Sequence, residues 1–268
     1  MMLRDKAKDK KQNIVRVDET GFGNIKVIQR PDFGYGVDSV LIAAFAAGET
    51  GAKPLRRDSK VADLGSGGGA IAFIIAHKVP TCKVVGIEKR KDAFDRSCEA
   101  CKLNGLEDRV SFNNSDILDI DGKHDFDAVV SNPPFFRRTA GVSTGGSVRL
   151  ESDDRYVARH ETTADIRDFV RVASSMLMRD GSLYLVHRPD RLVDILTAMR
   201  SEGVEPKALQ MVIPSPGKPA NIVLIHGIKD AKPELKILPE LAVYTTDGKY
   251  TEQILKIYER NKKQKPKR

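Results

Sequence analysis

The sequence predicts a doubly wound α/β fold built on a mostly parallel sheet with an antiparallel closing strand. Two observations carry that expectation. Short apolar runs alternate with helix-period segments through the middle of the chain, and a run of turn-forming glycines, Gly65 to Gly69, separates one such run from the helix that follows it. Taken in order, Ile25 to Gln29 reads as a small strand, and Asp38 as the cap of a helix running through Ala47. Lys60 to Leu64 is a strand, Ala70 to His77 a helix, and Lys83 to Ile87 a second strand. Lys91 to Asn104 reads as a helix ending near Gly105, and Val110 to Phe112 as a strand. Phe126 to Ser131 has the continuous apolar character of a strand buried on both faces. Thr163 to Met178 is the clearest helix, because Ile166, Phe169, Val170, Ala173, Met176 and Leu177 recur on one face. Gly181 to Val186 is the fifth strand of the alternation, Asp190 to Glu202 a helix, and Ala208 to Ile213 with Ile222 to Ile225 a closing pair. Right-handed crossovers place any ligand at the carboxyl edge of such a sheet.

Composition bounds the function. With 268 residues, 40% of them hydrophobic and no internal repeat, the chain can bury one α/β core. No apolar run approaches the ~18 residues of a membrane span, and Met1 to Arg4 leads into charge rather than a signal-peptide core, so a cytoplasmic protein with no membrane partner is expected. The net charge of +8 is unevenly placed: residues 1–11 carry +3 and residues 256–268 carry +6. The expected organisation is a basic N-terminal tail over 1–12, one domain over 13–255 and a basic C-terminal tail over 256–268. Such tails are either solvated or reserved for a polyanion. The aperiodic stretch from Phe136 to His160, with Arg137, Arg138, Arg149, Arg155 and Arg159, reads as a loop beside the site that closes over substrate and contacts phosphate.

Two motifs carry chemistry. Asn132-Pro133-Pro134-Phe135 follows the buried strand that ends at Ser131. Proline has no backbone N–H, so the Pro-Pro pair offers carbonyl acceptors without donors, and Asn132 adds an amide oxygen. That suits a planar amine with two N–H donors, whose lone pair becomes available as nitrogen turns pyramidal. Phe135 can stack on the flat group that bears the amine. A proline-rich turn closing a strand is the bland alternative. Upstream, the glycine segment and the following helix N-terminus form a cradle for a nucleotide-type ligand, and Glu88, 23 residues after Gly65, is placed to accept ribose hydroxyls. Gly65, Gly67 and Ala70 also fit the loose dinucleotide fingerprint of a dehydrogenase, but a nicotinamide enzyme needs neither Asp63 nor the Asn-Pro-Pro-Phe loop. Cys98 and Cys101 lie mid-helix with no second pair, the five histidines show no ligand spacing, and no phosphate-binding GxxxxGK loop is present, so no metal is expected.

Asp63-Leu64-Gly65-Ser66-Gly67-Gly68-Gly69, Glu88, Asp116 and Asn132 to Phe135 together resemble the class I S-adenosylmethionine-dependent methyltransferases, over roughly residues 60–230. The resemblance implies a Rossmann-like methyltransferase sheet and S-adenosyl-L-methionine as cofactor, with Glu88 on the ribose and Asp116 by the adenine. It implies Asn132, Pro133, Pro134 and Phe135 as the catalytic loop, and Asp38, Asp63, Gly65, Gly67, Glu88, Asp116 and Asn132 as cofactor-binding residues. More narrowly, Phe33 to Leu41, Ala158 to Glu161, His187 to Leu192 and Ala220 to Ile225 are similar to segments of the bacterial valine-tRNA adenine-N6 methyltransferases, which modify the adenine 3′ of the anticodon. That likeness implies tRNA as partner and places Gly34 to Asp38 at the methionine end of the cofactor; Asp38 can serve there and as a helix cap. Related enzymes methylate guanine N2 in ribosomal RNA or a glutamine side-chain amide, and a non-catalytic RNA-binding module is a further alternative.

Overall fold

The computed structural model describes residues 15–21, 23–30, 34–134 and 164–260. Phe135, the 136–160 stretch, Phe33 and residues 261–268 lie outside the described residues. A nine-stranded sheet organises the chain. Its strands are β3 (Lys60–Leu64), β4 (Lys83–Ile87), β5 (Val110–Asn113), β6 (Phe126–Ser131), β7 (Leu177–His187), β8 (Val204–Ile213), β9 (Ile222–Lys229), β10 (Lys236–Ile237) and β11 (Leu241–Ala242). They lie in the order β10-β8-β9-β7-β6-β3-β4-β5, with β11 also on β8. β9 is antiparallel to both β7 and β8, and every other pairing in the sheet is parallel. The fold class expected from the sequence is therefore the observed one.

Helices cover both faces, as a parallel sheet buried on each side requires. On one face lie α1 (Val37–Ala46) and α2 (Ala70–Lys78), and on the other α4 (Ile166–Met176) and α5 (Leu192–Ser201). α1 is apolar nearly all round, so it is enclosed: Val40 through Ala46 are fully buried. α4 is amphipathic and opens with a capping box, in which the Asp165 side chain accepts from the Asp168 N–H while the Asp168 side chain accepts from the Asp165 N–H. α3 (Lys91–Leu103) flanks β4 and β5. Against α3 packs a two-stranded hairpin, β1 (Arg16–Glu19) with β2 (Lys26–Gln29). The Asn104 side chain fastens it by accepting from the Lys26 N–H at 2.8 Å and donating to the Lys26 carbonyl at 2.7 Å.

The chain order creates a switch point. From β3 the chain builds outward through β4 and β5, then returns to lay β6 and β7 on the opposite side of β3. Leu64 stands in register with both Ile87 and Ser131, and Ile87 with Asn113. The loops beginning at Gly65, Glu88, Asn114 and Asn132 therefore leave the sheet from one row. The Ser131 hydroxyl donates to the Leu64 carbonyl at 2.7 Å and ties two of those exits together.

Several boundaries differ from expectation. Asp38 does not cap α1: Gly36 is the N-cap residue, with no side-chain bond, and Asp38 sits in the first turn. β1 has no counterpart among the expected elements. α4 stops at Met176 because Leu177 is extended and pairs with Phe126, starting β7 four residues early across an irregularity where Asp180 has φ of 61°. The expected helix from Asp190 begins as a short 3-10 turn, Pro189–Arg191, before α5. Residues 256–260, assigned to the C-terminal tail, are packed: α6 (Glu252–Ile257) leads Ile257 and Tyr258 into the core. Among the described residues, no helix is long and apolar enough to cross a membrane.

Candidate active site at the switch point

A cavity of about 570 Å³ opens where the β3 and β6 exits meet. Gly65, Gly67, Glu88, Asp116, Asn132 and Pro134 line it, so six of the residues singled out from sequence converge. Asp63, Asp38 and Pro133 stand behind the wall.

The glycine loop is built by backbone geometry that side chains resist. Gly65, Gly67 and Gly69 all have positive φ, at 74°, 55° and 83°. Gly69 forms the N-cap of α2, and a Cβ there would stand 2.7 Å from the Phe112 ring and 2.9 Å from the Phe73 ring. The Gly65 and Ser66 N–H groups both donate to the Ile87 carbonyl, which fastens the loop to the neighbouring strand.

Glu88, 8% exposed, is the hinge of the site. Its Oε2 accepts from the Gly67 N–H at 2.8 Å and its Oε1 from the Arg90 N–H at 2.8 Å. A carboxylate has about four lone-pair positions, so two remain for a diol. Asp116 caps the turn that follows β5, accepting from the Leu118 N–H at 3.1 Å, and pairs with Lys89 at 2.8 Å. Burial works to raise the Asp116 pKa, but the Lys89 ammonium and the backbone N–H groups outweigh it and leave the carboxyl below its ordinary value.

Asp63 is fully buried under the loop, and among the described residues neither carboxylate oxygen has a hydrogen-bond partner. Burial pushes its pKa up to about 7; the nearby Ala72 amide, short of hydrogen-bond geometry, offsets part of that, and repulsion from Glu88 adds to it. Asp63 thus faces the first turn of α2 without lining the cavity.

On the opposite side, the Asn132 side-chain nitrogen donates to Asp38 Oδ2 at 2.7 Å. Asp38 is therefore a partner of the Asn-Pro-Pro loop, bonded to Asn132 without itself lining the cavity. Pro133 is buried and Pro134 exposed at the cavity edge. Gly34 and Tyr35, from the segment expected at the methionine end of the cofactor, also line the cavity, and Ser39 and Phe169, which sequence reading did not assign to the site, complete the wall. Tyr35 is carried there by Gln29, whose Oε1 accepts from the Tyr35 N–H at 2.9 Å while its Nε2 donates to Asp18 at 2.8 Å. Phe169 carries a signal only as one apolar position of α4. The cysteines take no part: Cys82 and Cys101 are buried and burial raises both thiols to about 11, while the Cys101 thiol donates to the Val110 carbonyl at 3.2 Å.

Residues 44–146 match the model of the methyltransferase small domain. A tRNA1(Val) (adenine(37)-N6)-methyltransferase from Porphyromonas gingivalis is 33% identical over 165 residues, covering 60% of this chain and 60% of that protein. A release factor glutamine methyltransferase from Shewanella oneidensis is 30% identical over 179 residues, covering 67% of this chain and 59% of that protein. Both matches thus span about three fifths of the relatives' own lengths. Among solved structures, a predicted O-methyltransferase from Agrobacterium tumefaciens superposes with a TM-score of 0.64 at 20% identity, over 83% of this chain and 95% of that one. Residues 44–146 are thus similar to the methyltransferase small domain, and the chain shares its fold with a solved predicted O-methyltransferase.

Proposed function

We propose that this chain transfers a methyl group from S-adenosyl-L-methionine to the exocyclic N6 of an adenine in tRNA, adenine 37 of valine tRNA. The observation that carries the reading is the convergence of Asn132 and Pro134 with the glycine loop and Glu88 on one cavity. The residues fit the cofactor. Glu88 retains acceptor positions for the ribose hydroxyls, Gly65, Gly67 and Gly68 line the cavity without a Cβ, and Asp116 lies within reach of an adenine edge. When bound, S-adenosylmethionine supplies an electrophilic methyl group on a sulfonium. Asn132 Oδ1 and a backbone carbonyl of the 132–134 loop accept the two amine hydrogens and favour positive charge developing on nitrogen. Alignment of methyl and amine carries most of the remaining work, and in favourable intramolecular cases it is worth ~7–11 kcal/mol. No dedicated base is needed, because the methylated nitrogen is acidic and releases its proton to water. Phe135, next in the chain, is assigned to stacking on the base.

A second reading, methylation of a protein glutamine amide, is supported by the glutamine methyltransferase relative at 30% identity. The net charge of +8 supports the polyanion over the peptide. Incubation with a labelled methyl donor, presenting undermodified tRNA and a release factor as competing acceptors, separates them. Label in N6-methyladenosine is the expected product; label in methylglutamine transfers the function to the second reading. In a parallel calorimetric titration, S-adenosylmethionine and its demethylated product should compete, and nicotinamide dinucleotides should give negligible heat.

A further inference from the structure

We propose that Asp38 is a positioning residue that holds the Asn132 side-chain amide in the one orientation that presents its oxygen to the reacting amine. This inference rests on the reading of the cavity as an amine-methylating site.

Asn132 Nδ2 donates to Asp38 Oδ2 at 2.7 Å, across 94 positions of sequence. An ionised carboxylate only accepts. Rotating the amide by half a turn would set its oxygen against the carboxylate, two acceptors facing each other, and would aim N–H donors at an incoming amine that itself carries donors. With the nitrogen held by Asp38, Oδ1 is the atom left for the cavity. The next two residues, Pro133 and Pro134, contribute no N–H, so the loop from 132 to 134 shows substrate only acceptors on its side chain and proline carbonyls. The Asp38 charge stands one hydrogen bond behind that surface, where it also favours the positive charge that develops on nitrogen.

Gly36 supplies an independent observation. Its φ of −102° and ψ of −178° are open to any residue, so the backbone does not demand glycine there. The space does: a Cβ at position 36 would stand 2.3 Å from Asp38 Oδ1. A bare residue at the N-cap of α1 lets the carboxylate sit where it reaches Asn132, in place of a capping side chain that α1 lacks. α1 is itself immobilised, with Val40 through Ala46 fully buried, so Asp38 is presented from a rigid element.

The test uses Asp38→Asn, Asp38→Glu and Gly36→Ala in the full chain. Three quantities are read: single-turnover methyl transfer at saturating donor, with whichever amine acceptor the wild type methylates; cofactor affinity by calorimetry; and the Asn132 side-chain NH₂ resonances of 15N-labelled protein. Asp38→Asn should slow transfer by about 10²-fold while changing cofactor affinity by less than about twofold, because a misplaced acceptor acts on the transition state. Gly36→Ala, which moves only the flexible end of Asp38, should fold with a near-wild-type melting temperature yet share the rate defect. Asp38→Glu, which restores an anionic acceptor, should recover part of the rate. The Asn132 resonances should shift in Asp38→Asn even without acceptor. A wild-type rate in Asp38→Asn, or weakened cofactor binding with an unchanged rate at saturation, would overturn the proposal and make Asp38 a cofactor ligand or a bystander. If the wild type methylates no amine acceptor, the amine-methylating reading fails, while unshifted Asn132 resonances in Asp38→Asn would separately refute the Asp38 contact.

Discussion

Asp63 shows how a residue can shape the site without facing it. Its carboxyl has a folded pKa of about 7 against an ordinary 3.8, raised by burial, partly offset by the Ala72 amide and raised further by Glu88. The sign is unusual for a carboxylate. Between those two values the folded state holds a proton that the unfolded state has lost, so this residue's contribution to stability is full at acid pH and falls as pH rises towards 7. The decline can reach at most ~1.4 kcal/mol per pH unit, the slope for one proton. Asp63→Asn removes it. Denaturant midpoints measured from pH 4.5 to 7.5 should show the variant gaining on the wild type with rising pH; parallel curves would mean that Asp63 keeps an ordinary pKa. Gly65, Gly67, Glu88, Asp116 and Asn132 were legible because local chemistry fixes each: glycines for positive φ, acids at strand exits, an amide before two prolines. The partnership of Asp38 with Asn132 was not, since a contact across 94 positions leaves no local signal, and Asp38 near a helix start looks like a cap.

The glycine loop is the element on which the cavity depends, and its last residue does two structural jobs. Gly69 turns the chain into α2 with φ of 83° and leaves room for the Phe73 and Phe112 rings, which meet edge to face with centroids 5.6 Å apart. Gly69→Ala combines a strained backbone with a clash, and should destabilise the fold by about 1–3 kcal/mol. Chemical denaturation decides it, and an unchanged midpoint would show that the loop relaxes freely. Most strands were readable from their apolar runs, because strands buried on both faces can be made of little else. The first part of β7 was not: Met178, Arg179 and Asp180 look like the end of a helix or a turn, and only pairing with β6 across an irregularity makes them strand. β1 escaped for a related reason, since Arg-Val-Asp-Glu lies at the surface with little apolar pattern.

Across the whole molecule, net charge and chemistry are separated. Residues 1–11 carry +3 and residues 261–268 carry +5, which together equal the +8 of the entire chain. We propose that these segments contact RNA phosphates. Deleting both should weaken RNA binding and flatten its salt dependence, each lost contact reducing the slope by ~0.7–0.9, while methylation at saturating RNA survives. Titrations at several salt concentrations check this, and an unchanged slope would move the phosphate site to the arginines between 137 and 159. Residues 256–260 must be retained in that truncation because Ile257 and Tyr258 belong to the core. The central claim, that the cavity holds the methyl donor and Asn132 positions the amine, has its most direct test in Asn132→Ala. Single-turnover transfer should fall by about 10²-fold or more, while calorimetry shows donor affinity nearly unchanged. Turnover close to that of the wild type would contradict the account.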